Sequence, residues 1–175
     1  MNTMAIRAIR TFPDPVLRGK TARVEKIDNS LDRLIQDMVE TMHAAPGVGL
    51  AANQVGVPLQ LAVIDLSGRE DDGERHPLLV IINPEILSSE GAVTEEEGCL
   101  SIPDYAEKVK RAEKVTVRAQ DRTGKSFEVA AEGLLAKALQ HEIDHLNGLL
   151  FVDRLSPLKK NIFKRRYKKT AVEQA

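Results

Sequence analysis

The chain reads as an α+β fold: one compact domain of short antiparallel or mixed strands around a central helix, with an amphipathic helix before them and another helix at the C-terminus. Three observations predict it. Apolar residues recur at helical spacing near both ends, short apolar runs crowd the middle, and no regular strand–helix alternation joins them. The 175 residues, 42% hydrophobic and 29% charged, suit a single domain over 1–175 that buries roughly 70% of its unfolded surface.

In chain order, Ser30 reads as an N-cap, and Leu31, Leu34, Ile35, Met38, Val39 and Met42 then form one helical stripe. Ala45-Pro46-Gly47 ends it and opens the stretch Gly47-Val48-Gly49-Leu50-Ala51-Ala52-Asn53-Gln54. Strands are expected at Leu59 to Asp65 and Leu78 to Asn83, separated by a charged loop from Ser67 to His76. Two more, Lys114 to Asp121 and Ser126 to Ala131, flank the turn Arg122-Thr123-Gly124-Lys125. Leu134, Leu135, Ala138, Leu139, Ile143 and Leu146 then give the central helix, from about Glu132 to Asn147, with Gly148 as its C′ residue. A last helix is expected from Pro157 to about Thr170, and residues 156–175 form a basic helix and tail.

Met1 to Pro15 lacks the continuous apolar core of a secretory leader, and the longest apolar run, Leu78 to Ile82, is too short to span a bilayer. Cys99 stands alone, so no internal disulfide forms. These features predict a cytoplasmic protein without a membrane partner. The net charge of -1 conceals an asymmetry: Lys159 to Lys169 carries seven basic and no acidic residues, which leaves -8 for the remainder.

His141 and His145 are four residues apart on the central helix and continue the stripe of Leu134 and Ala138, so two imidazoles aim inward at one point. Glu142 sits one position round, where a carboxylate can take a proton from water on a metal without ligating it. The plainer alternative is a surface helix that carries two histidines. A third ligand has to come from upstream: Phe151 occupies the position where one protease class places its third histidine, and Glu173 is the only acidic residue after Leu155. Cys99 is the best candidate, because a thiolate suits a borderline-soft ion, although a lone cysteine also serves as a small buried hydrophobe. His43 and His76 are its rivals. Cys99, His141 and His145 together leave a fourth position for water, the mark of a catalytic site.

With these residues in place, the chain resembles the bacterial-type peptide deformylases. Gly47 to Gln54, Glu97-Gly98-Cys99-Leu100-Ser101 and Gln140-His141-Glu142-Ile143-Asp144-His145 carry the match. Asp14-Pro15-Val16-Leu17-Arg18 and Leu155-Ser156-Pro157-Leu158-Lys159 extend it over essentially the whole chain. The resemblance implies hydrolysis of the N-formyl group from the formyl-methionine of nascent polypeptides, releasing formate, with water activated by the metal as nucleophile and Glu142 as general base and acid. It assigns the oxyanion donors to the Gln54 side-chain amide and the Leu100 backbone N–H. It gives Val48, Gly49 and Leu134 to substrate binding, with Val48, Leu134 and the His141 ring around the methionine side chain. One divalent ion is implied, Fe(2+) by family association, while Zn(2+), Ni(2+) or Co(2+) also suits the donors.

Two positions depart from the family pattern. Asp104-Tyr105-Ala106-Glu107 stands where many bacterial members have an arginine, and Lys137 stands where an apolar residue is common. A Lys137 that borders the cleft favours acidic residues downstream of methionine; equal specificity constants for acidic and basic peptides contradict that.

In the tail, Phe163 and Tyr167 are spaced i, i+4, as for one packed face with the basic residues outside. A solvated charged face is the default reading; by resemblance, the partner is the ribosome. A monomer is expected. Two rival readings remain at this level: a metallopeptidase, and a ribosome- or RNA-binding module with a structural metal.

Overall fold

The first long helix starts at Asp28 rather than at Ser30. The Asp28 carboxylate accepts the Leu31 N–H at 3.1 Å and caps α1, Asn29–Ala44. The computed structural model describes residues 5–67 and 77–173, with side chains described as far as residue 167.

Seven strands follow: β1 Gly49–Ala51, β2 Leu61–Ile64, β3 Leu79–Glu90, β4 Val93–Cys99, β5 Ile102–Arg111, β6 Lys114–Gln120 and β7 Ser126–Glu132. They build a five-stranded sheet ordered β1-β2-β3-β6-β7 and a separate β4–β5 hairpin. Every pairing of these strands is antiparallel, and a parallel bridge joins Ala22 to Leu59. Two helices come after the strands, α2 Gly133–Leu146 and α3 Pro157–Glu173.

Alternation along β2 and β3 explains the layering. Leu61, Val63, Val80 and Ile82 pack with the α1 stripe, while Ala62, Ile64 and Ile81 pack with Leu135, Ala138, Leu139 and Ile143 of α2. The sheet is thus covered on both faces, which is why all four residues of β2 are buried.

β3 runs seven residues past the expected end at Asn83. A proline normally ends strand pairing, but here a register shift between Ile82 and Glu85 takes up Asn83 and Pro84. Asn83 adopts φ 53°, and its side chain bonds both the N–H and the carbonyl of Val24. The β4–β5 hairpin was not expected at all. Most of its side chains are exposed, so it lacks the apolar alternation by which strands are read.

α2 ends as the sequence implies. Leu149 N–H bonds Asp144 O at 2.9 Å and Gly148 N–H bonds His145 O at 3.0 Å, closing a Schellman turn. Gly148 has φ 77°, and a Cβ there would stand 2.5 Å from Arg18 O. A third apolar cluster, with Leu17, Ile102, Phe151 and Phe163 among its members, joins the N-terminal segment, β5 and α3.

Candidate metal centre

α2 presents His141 and His145 one turn apart, with their Nε2 atoms 3.2 Å from each other. Cys99, the last residue of β4, brings its Sγ to 3.3 Å from His145 Nε2. These three donor atoms all lie within 4.8 Å of one another, whereas His43 sits on the surface against Asp65 at 2.7 Å. His76, the other rival, lies outside the described residues.

The donor set fits a divalent ion. Bonds of roughly 2.0–2.3 Å to nitrogen and sulfur in a tetrahedral shell separate neighbouring ligands by roughly 3.3–3.6 Å, close to the spacings here. His141 is also oriented for the task, because its Nδ1 contacts Glu97 Oε1 at 2.9 Å and Nε2 is left for the cluster. Burial disfavours a charged His141, yet hydrogen bonds with Cys99 and Glu97 outweigh burial and raise its pKa well above the usual value. Burial, reinforced by the charge of His141, holds His145 well below it. An ion at the cluster would bind Nε2 in place of the proton there and leave the Nδ1–H on Glu97.

The next layer is a chain of buried charges. Arg111, at the end of β5, donates to both Glu97 oxygens at 2.7 and 2.9 Å and to Asp144 at 2.7 Å. Arg154 closes the chain with two bonds to Asp144, at 2.6 and 2.7 Å. Burial pushes Glu97 up, but hydrogen bonds from His141 and Arg111 dominate and hold it at about 2. A Glu97 that stays ionised keeps accepting from His141.

Glu142 differs from the other acids at the site. It is buried, and its Oε1 has no hydrogen-bond partner. Burial raises its pKa to about 7, against the pull of the His141 and Arg111 charges. Its Oε2 lies against β1: a Cβ on Gly49 would stand 2.5 Å from that atom, so any larger residue there would push this carboxylate from its place.

Gln54, in the 3-10 turn Ala52–Val55, is buried and places Nε2 3.7 Å from Cys99 Sγ. Asn53 beside it donates to His145 O at 2.6 Å. Leu100 lies in the tight connection between Cys99 and Ile102, and its side chain packs on the α1 cluster. Val48 and Leu134 are half-buried against the α2 cluster. Among the described residues, β1 pairs only with β2 and β4 only with β5, so each presents an open edge. Lys137 stands one turn from Leu134 and His141 on α2, and its ammonium contacts Glu95 at 3.4 Å and Glu96 O at 3.3 Å.

The structure therefore gathers Cys99, His141, His145, Glu142, Gln54 and Gly49 in one place. Sequence reasoning passed over Arg111, Asp144, Arg154, Ser101 and Asn53, and gave Glu97 no role of its own. For Asp144 a signal existed, since it lies three residues past His141 on the buried side of a helix. For Arg111, one more cation in a charged strand, none did.

A helix-borne imidazole pair, a thiol and an unpaired buried carboxylate one position round define a metal-dependent hydrolase. The family model described as polypeptide deformylase matches residues 6–161. The chain belongs to that family, and its reaction is the metal-dependent hydrolytic removal of the N-formyl group from nascent chains. A peptide deformylase of Syntrophobacter fumaroxidans is 58% identical over 170 residues, 97% of this chain and 98% of the relative. The crystal structure of a peptide deformylase from Legionella pneumophila is 54% identical with a TM-score of 0.86, covering 97% of this chain and 98% of that one. That of an Ehrlichia chaffeensis peptide deformylase in complex with actinonin has 40% identity and a TM-score of 0.87, covering 95% and 98%. Membership of this family excludes the metallopeptidase and the binding module.

Proposed function

We propose that Cys99, His141 and His145 hold one divalent ion and that Glu142 is the general base and acid for deformylation of formyl-methionyl peptides. The observation that carries this is the Glu142 carboxylate: buried, unpartnered, pushed to about 7 and one helical position from the ligand pair. A divalent ion there supplies a Lewis acid and lowers the pKa of water toward neutrality. Glu142 accepts a proton from the attacking water and returns it to the departing amine. The Gln54 Nε2–H and the Leu100 backbone N–H meet the charge that develops on the formyl oxygen. The open edge of β1 at Val48 and Gly49 pairs with the extended peptide, while Val48 and Leu134 flank the methionine side chain.

The test is formate release from formyl-Met-Ala-Ser by protein prepared in ferrous form without oxygen. Glu142→Ala should keep one metal per chain and lose on the order of 10³-fold in kcat. A metal-loaded wild type that releases no formate under any divalent ion overturns the assignment. Fe(2+) is the proposed working ion, with Zn(2+), Ni(2+) or Co(2+) able to occupy the same donors. Loss of ferrous activity in air, restored by fresh Fe(2+) and reductant, supports this, because metal and thiolate are both oxidisable.

We also propose that the protein is a cytoplasmic monomer, a single domain over 1–175 whose basic helix α3 docks on the ribosome. Among the described residues, no helix is long and apolar enough to cross a membrane. Phe163 is buried and Tyr167 half-buried against the body, while Lys164 and Arg165 are exposed and the Arg166 guanidinium lies over the Tyr105 ring, 5.7 Å from its centroid. A folded chain truncated after Pro157 should bind ribosomes more weakly and with a shallower salt dependence. Unchanged binding contradicts docking through α3, and light scattering checks the monomer.

A further inference from the structure

Gln54 and Ser101 are both buried, with relative exposures of 1% and 0%. A carboxamide turned end for end fills nearly the same space, so hydrogen bonds must decide which end faces the site. Gln54 Oε1 accepts the Ala51 N–H at 2.9 Å, and Nε2 donates one hydrogen to Ser101 Oγ at 3.0 Å. That leaves the second Nε2 hydrogen on the side of Cys99, whose Sγ, 3.7 Å from Nε2, is a weak acceptor.

Ser101 is itself fixed through its backbone. Its N–H donates to Cys99 Sγ at 3.4 Å, and its carbonyl accepts the Phe12 N–H at 2.8 Å. The Phe12 carbonyl in turn accepts the Tyr167 hydroxyl from α3. The hydroxyl that receives Gln54 therefore stands on a support tied to both ends of the chain.

We infer that Ser101 is a positioning residue whose hydroxyl locks the Gln54 carboxamide with one Nε2–H aimed at the reacting formyl oxygen. The inference rests on Gln54 acting as an oxyanion donor. Without Ser101 Oγ the amide keeps the Ala51 N–H at Oε1 and only the long contact with Cys99 Sγ at Nε2, so Nε2 has to be oriented anew in each turnover. A donor fixed in advance avoids that reorganisation.

The experiment compares Gln54→Ala, Ser101→Ala, Ser101→Thr and the Gln54→Ala/Ser101→Ala double variant in formate release. Gln54→Ala should lower kcat by about 10²-fold or more. Ser101→Ala should lower it by about tenfold with KM nearly unchanged, Ser101→Thr should restore it, and the double variant should be no slower than Gln54→Ala. Two readouts separate positioning from general damage. In ¹⁵N spectra of the zinc form, the two Gln54 Nε2 protons should be distinct and slow to exchange in wild type, and should exchange faster in Ser101→Ala. In the cobalt form, the thiolate absorption should be the same in both; a shifted band means that Ser101 acts through Cys99 and overturns the inference. Wild-type kcat in Ser101→Ala, or losses that multiply in the double variant, also overturn it while Gln54 keeps its role. A fully active Gln54→Ala removes the oxyanion reading itself, and the inference with it. Should Ser101→Ala not fold, Ser101→Cys keeps the volume with a far weaker acceptor and serves instead.

Discussion

Helix α2 and the β4–β5 hairpin deliver atoms to the same cluster, but different forces hold them there. α2 lies on the sheet through Leu135, Ala136, Ala138, Leu139 and Ile143, all buried, so its two imidazoles are placed by an apolar face that tolerates local change. The hairpin is exposed along most of its length and is anchored by Glu97, near Cys99, and Arg111, at the far end of β5, whose side chains are 3% and 2% exposed. Buried charge orients more sharply than apolar contact, since each hydrogen bond has a direction, but it fails abruptly when one partner is removed. One side of the site is robust and supplies the two imidazoles; the other is brittle and supplies the thiol.

The largest effect that breaks this contrast should come from Arg111→Ala. It leaves Glu97 and Asp144 buried without their shared cation, for a loss of about 3–5 kcal/mol in stability. Metal affinity should fall by roughly 10- to 100-fold, because Glu97, the carboxylate that orients His141, loses the guanidinium that holds it in place. Thermal unfolding and metal titration check both, and a variant as stable as wild type would show that the hairpin is held by its apolar contacts alone.

Acid should reach the same weakness more gently. Glu97 is held at about 2 in the folded chain against an ordinary 4.5, so the folded state binds fewer protons at this group than the unfolded state. The stability it contributes is full above about pH 4.5 and is lost as pH falls toward 2. Urea unfolding of wild type should therefore weaken more between pH 5 and 3 than that of Glu97→Gln, which has no carboxylate to titrate. Parallel pH profiles contradict the account.

The smallest effect is the control. Arg118 meets Glu128 at 3.1 Å with both side chains about half exposed, 52% and 53%. Arg118→Ala should change stability by less than about 1 kcal/mol. A loss as large as that of Arg111→Ala would mean that burial is not what separates the two pairs.

The order in which the sequence yields its content follows the same division. Leu31 to Met42 and Leu134 to Leu146 announce helices because a 3.6-residue period survives in the apolar residues, and His141, Glu142 and His145 inherit their relation from that period. Gly148 announces its cap through a backbone angle that only glycine adopts freely. Asn83-Pro84 misleads, because the bulge that accommodates it depends on Val24, 59 residues away in the chain. Ser30 misleads for a smaller reason: Asp28 competes for the same role, and only the backbone shows which side chain reaches an N–H.

By itself the sequence determined the local geometry of this protein: the helices, the ligand pair with its neighbouring carboxylate, and the motifs that mark the family. Tertiary structure alone decided what lies between distant segments. It closed the distance between Cys99 and the histidines, set Glu97 behind His141, joined Arg111 to Asp144 and turned Gln54 toward Ser101. The physical reason is that helical and turn preferences act over a few residues and leave a period in the chain, whereas a hydrogen bond across 30 or 90 residues leaves none.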